Sequence, residues 1–547
     1  MAHSRNGVRH IGARLSVPTV AALVVCGPAA IAGSVELGNE YSLNTIATFT
    51  YSAAMRLDDP AGEIIANVNG DDGDRNFNRH ALINNRIALL GEMDLRRRRS
   101  GLFVRGSIFY DDAYQGGNDN DSPDTVNKSG AYDEFSDAAE DRLGYRARLL
   151  DAYAYTGFSI GEVAVDLRAG RQVVSWGESL FFPNTSGAQA PADATKSNVP
   201  GTEVKDILLP TGQVYLQLGF TPSWSVSAYW QWEWEQTELT PADGYFSSSD
   251  LVGPGAEFLI LQDLPLPPPL PSGYKVPRGP DIEPGDSGQW GISTKFILGD
   301  ATEVSLQHLV YHDKAPGVIT NTGTVTFDLE VAPGVVVPIP VDGLPASYQL
   351  YYADDIKLSS ASVNSELFGA AIGAELSYRE DASFLINAPS ATPTRGDAWQ
   401  ANLNLTKLFL PTRWYDTLTV LGEVGWARID EVEAIAVGDV EYDEVTNGRE
   451  AYAYQLLAQL GYKQVFPGWD LTLSFVHANA FDGKPAIAGS FGSLTGEGDE
   501  RYTFGPSFKY LQNLELALAY NGYHGSPGPE HPLADRSYLS FSAKYSF

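Results

Sequence analysis

Apolar and polar side chains alternate at a period of two from end to end of this chain, and that pattern constrains the fold more than any other feature. Phe49, Tyr51, Ala53 and Met55 alternate with Thr48, Thr50, Ser52 and Arg56. Ile87, Leu89, Met93 and Leu95 alternate with Arg86, Glu92 and Asp94, and Leu102, Val104, Ile108 and Tyr110 with Arg105, Ser107 and Asp111. The period returns at Val163, Val165 and Leu167, at Tyr452, Tyr454 and Leu456, and at Leu514, Leu516 and Leu518. Successive side chains of an extended chain point to opposite faces, so the pattern is that of strands with one apolar and one polar side. The connections alternate too. Short turns at 96–101, 158–161, 221–224, 298–301 and 465–469 join strands in pairs. Long polar or proline-rich segments lie at about 58–80, 112–144, 173–210, 237–287, 313–353, 380–396 and 428–450. A soluble sandwich has no reason to sort its loops by length, whereas an up-and-down barrel has tight periplasmic turns and long outer loops. The rule predicts an all-β, transmembrane antiparallel up-and-down β-barrel of about 18 strands, its long extracellular loops partly folded into the lumen. The stretch 354–379 is split at "VNSE"; without that split the count is about 16.

The N-terminus reads as an export signal. Arg5, Arg9 and Arg14 precede the short apolar run Val17 to Val25, and Ala30-Ile31-Ala32 supplies small residues before Gly33. The division expected is therefore a signal peptide at 1–32 and an outer-membrane barrel at 33–547. Cys26 is the only cysteine, so the mature chain would hold itself together without disulfides or thiolate metal sites. Beyond the signal, no apolar run approaches the 18 or so residues of a spanning helix. A net charge of -31 argues against nucleic acid as a partner, and 43% hydrophobic residues argue against disorder.

Two stretches sharpen the membrane reading. In "SAYWQWEWEQ" (227–236) tryptophans occupy every second position and Gln231, Glu233 and Glu235 the positions between. Hydrocarbon on one side and a wet lumen on the other accommodate both faces. Trp224, Trp230, Trp232 and Trp234 are then lipid-facing, with Trp224 in the periplasmic aromatic belt and Trp232 and Trp234 in the outer one. At the C-terminus, "LSFSAKYSF" alternates Leu539, Phe541, Ala543, Tyr545 and Phe547 with Ser540, Ser542, Lys544 and Ser546. This terminal aromatic strand resembles the signal read by the barrel assembly machinery, with Tyr545 and Phe547 on the lipid side.

The motifs "DDGDRNF" (71–77), "NDNDSP" (118–123), "LLDAY" (149–153), "WGESLFF" (176–182), "AQAPAD" (188–193), "QWEWE" (231–235) and "YHDK" (311–314) resemble the proteobacterial family catalogued as domain of unknown function 1302. The resemblance spans nearly the whole mature chain. It implies an outer-membrane barrel accompanied by a lipid-carrier-like periplasmic protein and an inner-membrane permease of the resistance-nodulation-division type, in the traffic of hydrophobic molecules. It implies no catalytic residue.

Candidate functional residues follow from parity and loop chemistry. Arg105, Arg168, Arg171, Glu178, Gln231, Glu233 and Glu235 are predicted to line the pore or its constriction, Glu178 standing opposite Arg168 and Arg171 on an inward-folded loop. The apolar, proline-rich stretches 258–274 and 331–345 are read as a plug or hydrophobic landing site, or as loop-on-loop packing. Asp71, Asp72, Asp74, Asp119, Asp121 and Asp124 cluster in predicted outer loops. Solvated charge, or bridging through divalent ions to lipopolysaccharide, stands beside Ca2+ binding as their explanation. No other cofactor is expected. His308, His312 and Asp313 lie near one strand end, without a G-x-S-x-G or H-E-x-x-H motif to orient them, so the chain is not read as an enzyme. The function expected is an outer-membrane channel for small, hydrophobic molecules in outer-membrane lipid and lipopolysaccharide. A plugged barrel serving as receptor or docking platform is the alternative, and an outer-membrane hydrolase a third. Mass spectrometry of the protein recovered from membranes should give a chain beginning at Gly33; a chain retaining Arg5 would refute the signal reading.

Overall fold

The computed structural model describes residues 33–38, 40–262, 273–389 and 392–547; the predicted signal segment lies outside them. The wall strands are β1 (Tyr41–Arg56), β2 (Leu82–Arg97), β3 (Ser100–Asp111), β4 (Tyr145–Ile160), β5 (Val163–Gln172) and β6 (Thr211–Thr221). They continue as β7 (Trp224–Gln231), β8 (Trp290–Leu298), β9 (Thr302–Tyr311), β10 (Ile356–Leu367), β11 (Ala370–Ile386) and β12 (Thr392–Phe409). The last are β13 (Thr417–Val432), β14 (Glu450–Phe466), β15 (Trp469–Asp482), β16 (Glu500–Tyr510), β17 (Leu514–His524) and β18 (Tyr538–Ser546). Each pairs antiparallel with the next, and β18 returns to β1 with Phe49 opposite Tyr545 and Met55 opposite Leu539. The ring of 18 strands is thereby closed. Phe547 completes the seam by exchanging both backbone hydrogen bonds with Ala47, at 2.9 and 3.0 Å. The short strand Gly33–Glu36 then takes up the edge of β1 beyond Phe547, pairing with Ser42–Thr45.

The parity predicted from sequence sorts the two faces. Leu102, Leu149, Leu306, Leu403, Leu456 and Phe504 stand exposed on the outer wall, and Ser52, Gln213, Gln307, Ser377 and Asn402 are buried inside it. A continuous apolar exterior of this kind belongs against lipid, not water. Trp224 stacks between Phe220 and Phe296 at one end, with centroids 4.5 and 6.2 Å away, while Trp230 and Trp232 lie 6.1 Å apart at the other. Tyr545 is exposed and Phe547 half-exposed beside it. Trp234 departs from the expectation. β7 ends at Gln231, so alternation lapses there, and Trp234 turns in beneath the outer loops against Leu350 and Tyr352. Its indole N–H donates to the Asp313 carbonyl at 3.1 Å.

The split of 354–379 stands, but its turn falls at Phe368 and Gly369, not at "VNSE". Both residues have positive φ, 55° and 68°, the requirement of a tight two-residue hairpin turn. The predicted long loop 380–396 is mostly strand. A bulge between Arg379 and Ala382 shifts the alternation out of phase, so the pattern fades although pairing continues to Ile386. Long connections at 483–499 and 525–537, absent from the sequence reading, complete the outer set. The apolar outer stretches form hairpins. Phe258–Leu261 pairs with Tyr274–Pro277, and Gly317–Ala332 with Val335–Tyr351, while 263–272 lie outside the described residues. Pro338, Pro340 and Pro345 fit this second ribbon because its edges need no ladder donor from them. The two hairpins pack on each other through Tyr274 and Phe327, which buries Leu344, whereas Val335, Val336, Val337 and Ile339 stay exposed.

A cap over the barrel is built from loops 57–81, 112–144, 232–262 and 525–537. Its aromatic core joins Phe77, Tyr114, Phe135, Tyr245 and Tyr523. Beside it Arg56 and Arg536, fully buried, share Asp74 and Asp535 at 2.6 to 3.4 Å, and Tyr245 offers its ring to both guanidinium groups. Removing one member of a buried ion network strands the others, at roughly 3–5 kcal/mol. Arg536→Met should therefore make loops 57–81 and 525–537 sensitive to limited proteolysis. Heat-dependent gel migration should still report a folded barrel.

Candidate passage along the inward-folded loop

Residues 173–210 leave β5 and turn into the lumen, held by wall side chains on opposite sides. On β11, Glu375 accepts the backbone N–H groups of Glu178 (2.8 Å) and Thr185 (2.9 Å) and the Ser179 hydroxyl (3.1 Å). On β13, Glu423 accepts the N–H groups of Leu180 (3.2 Å), Phe181 and Phe182 (2.9 Å). Gln400 and Asn402 on β12 donate to the carbonyls of Pro183 and Phe182, both at 3.0 Å. Gly177 makes this approach possible. Its φ is 99°, and a Cβ there would lie 2.4 Å from the Glu375 carboxylate. Two inward carboxylates thus serve as acceptors for loop amides that no regular structure pairs.

The return leg reaches the other wall. Asn198 accepts from the Tyr523 and Tyr538 hydroxyls, and Gly201 passes against Thr50 and Ser542. Glu203 pairs with Lys544 on the terminal strand, and Lys205 with Glu92 at 3.3 Å. Arg105 donates to the Lys205 carbonyl at 2.9 Å and to Asp151 at 2.7 Å. Between this leg and strands β2–β5 lies a cleft of about 330 Å³, lined in part by Phe103, Arg105, Asp151, Tyr153, Arg168 and Lys205. That volume suits a small organic molecule. Arg105 is paired with Asp151 and Asp206, and Lys205 with Glu92 and Glu203. Arg168 instead lies over the Tyr215 ring at 4.5 Å, and no ion pair engages it among the described residues.

Arg105 and Arg168, two of the residues singled out in the sequence, border this cleft. Gln231 also points inward, but it is buried and ties the loop down by donating to the Gln189 carbonyl at 2.9 Å. The other four do not form the predicted constriction. Arg171 has the outward parity of Leu167 and Ala169, and it forms a rim cluster with Glu233 and Glu235 where β7 has already ended. Glu178 faces neither arginine. Its carboxylate takes the Asn364 amide (2.7 Å) on β10, because Glu375 fixes the neighbouring backbone. The predicted acidic set is divided as well. Asp74 belongs to the Arg56–Arg536 network, Asp119 accepts the Asn78 N–H, and exposed Asp121 pairs with Arg75, while Asp71 and Asp72 stay together with Asp250. His308 faces outward beside Ser359, whereas His312 is buried with one ring nitrogen on the Ser287 carbonyl and the other taking the Asp355 N–H. They do not converge on a common ligand. Sequence reasoning missed Glu375, Glu423 and Lys314. The available signal was an isolated acid at inward parity among small or polar neighbours, as in "GAELS" and "GEVGW".

The class these features define is a closed outer-membrane-type β-barrel whose lumen is narrowed by one of its own loops. The chain belongs to the family described as protein of unknown function (DUF1302), whose profile matches residues 14–547. No curated protein matches it. Among solved structures it is similar to OccAB1 of Acinetobacter baumannii, with 11% identity, coverage of 92% of this chain and 96% of that one, and a TM-score of 0.43. A BenF-like porin from Pseudomonas fluorescens Pf-5 shares 8% identity over 93% and 98% of the two chains at a TM-score of 0.42. Pseudomonas aeruginosa OpdL shares 8% over 92% and 98%, at 0.38.

Lys314 adds a pH-dependent clasp. Its ammonium donates to the Ala188 carbonyl of the inward loop at 2.7 Å, and burial pushes it from an ordinary 10.5 down to about 8. In a state where the loop undocks and water reaches this lysine, the ordinary value returns. Between those two pH values the undocked state holds a proton that the docked state has released, so docking tightens as pH rises, by up to about tenfold per unit. A spin label at Ser186→Cys should become less mobile from pH 7.5 to 9.5, and Lys314→Met should abolish that trend.

Proposed function

We propose that the protein is a diffusive channel of the bacterial outer membrane, passing small molecules along the cleft between the inward-folded loop and strands β2–β5. The observation that carries this reading is the docking of 173–210 on opposite walls, which leaves a cleft of molecular size beside it. Phe103 and Tyr153, with centroids 5.4 Å apart, offer an apolar flank, and Arg168 offers a cation to a polar or anionic group on the solute. Outside, Val335, Val336, Val337 and Ile339 are exposed on the ribbon, which supports an apolar landing surface for hydrophobic solutes. No energy-coupling element is needed for such a path. Directional traffic would draw on the periplasmic carrier and inner-membrane permease expected from the family.

A plugged barrel acting as receptor is the competing reading, favoured by how fully Glu375 and Glu423 are engaged. Conductance in planar bilayers separates the two. Wild-type protein should give stepwise current, and Glu375→Ala combined with Glu423→Ala should widen and destabilise the open level. The double substitution leaves five loop amides without their acceptors, each costing roughly 1–3 kcal/mol if it stays buried. A wild-type barrel silent at all voltages, opening only in the double variant, would replace the channel with the plugged receptor.

A further inference from the structure

Asp71 and Asp72 in the first outer loop meet Asp250 in the fourth, and the side chains are buried to within about one per cent. One oxygen of each carboxylate is engaged. Asp71 Oδ2 takes the Arg75 guanidinium and the Thr125 hydroxyl, Asp72 Oδ2 the Asn127 N–H (3.0 Å), and Asp250 Oδ2 the Asp72 N–H (3.1 Å). The other oxygen, Oδ1 in all three, is buried and makes no hydrogen bond among the described residues. Asn127, fully buried one hydrogen bond from Asp72, has a side-chain carbonyl oxygen in the same condition. The nearby cations are committed elsewhere. Arg75 uses the far oxygen of Asp71, and the Lys128 ammonium goes to the carbonyls of Ala131 and Glu134.

Three buried carboxylates gathered in one place, each with an oxygen that no hydrogen bond reaches, are costly unless a cation or protons join them. We infer that Asp71, Asp72 and Asp250 bind one hard divalent cation, Ca2+ in preference to Mg2+, and that this ion fastens the first, second and fourth outer loops into one cap. Their ligand oxygens lie within 4.8 Å of one another. Opposed ligands on Ca2+, at about 2.3–2.6 Å each, span about that distance, and Ca2+ accepts irregular cages of protein oxygens. Mg2+ demands a tighter octahedron and keeps several waters, for which a buried cluster is poorly suited. The second loop takes part through Thr125 and Asn127, which fix the orientation of the two first-loop carboxylates.

The test uses full-length barrel refolded free of lipopolysaccharide, stripped with EDTA and titrated with Ca2+ by calorimetry. Wild-type protein should bind one Ca2+, and Asp250→Asn should weaken it by at least about tenfold. Asp121→Asn, a carboxylate of the same loops that lies outside the cluster, should bind as wild type. Ca2+ should also protect loops 57–81, 112–144 and 232–262 from protease in wild type but not in Asp250→Asn, with heat-dependent migration confirming both barrels. Absence of Ca2+ binding by stripped wild-type protein would overturn the assignment. So would undiminished binding by Asp250→Asn, equal loss in Asp121→Asn, or preference for Mg2+.

Discussion

A peptide group facing hydrocarbon has no water to accept its hydrogen bond, so a sheet in a membrane must have no open edge. In this protein that requirement is met at the seam between β1 and β18, where the final residue still exchanges backbone hydrogen bonds with Ala47. Every later feature presupposes the ring. Once it is closed, parity has a fixed meaning, an even position on β18 is a lumen position, and loops on one rim can reach the same interior from all sides.

Inside the ring the chain solves a second pairing problem. An irregular segment such as 173–184 carries amides without regular partners into the barrel, and the wall answers with carboxylates. Glu375 and Glu423 are almost wholly buried, and neither has a basic partner among the described residues; backbone N–H groups supply the compensation. Charge-assisted hydrogen bonds of this kind are stronger than neutral ones and position the backbone closely. The outer cap uses the opposite device, a guanidinium pair shared by two carboxylates around the Tyr245 ring. In this strongly anionic chain a buried minority of the acidic residues, Glu375, Glu423, Asp74 and Asp535 among them, is therefore structural.

The strand repeat, the sorted loops and the C-terminal aromatic pattern made the barrel and its strand number readable, because membrane burial imposes a period that each strand displays locally. Arg105 and Arg168 each lie within a regular strand, where parity alone fixes direction. The reading failed where regular pairing stops. Trp234, Glu233 and Glu235 follow the end of β7, Arg171 stands at the outer rim on the outward parity, and the bulge at Arg379 disguised a strand as a loop. Glu178 was misplaced because its loop is steered by an acid 197 residues away in sequence.

Sequence by itself determined the class of object, a greasy-walled closed sheet with wet contents, since alternation along one strand needs only neighbours to be seen. Tertiary structure decided which loop enters the lumen, which acids hold it, and that Asp250 joins Asp71 and Asp72 while Asp74 does not. Those choices depend on contacts between segments far apart in the chain, and local periodicity carries no record of them.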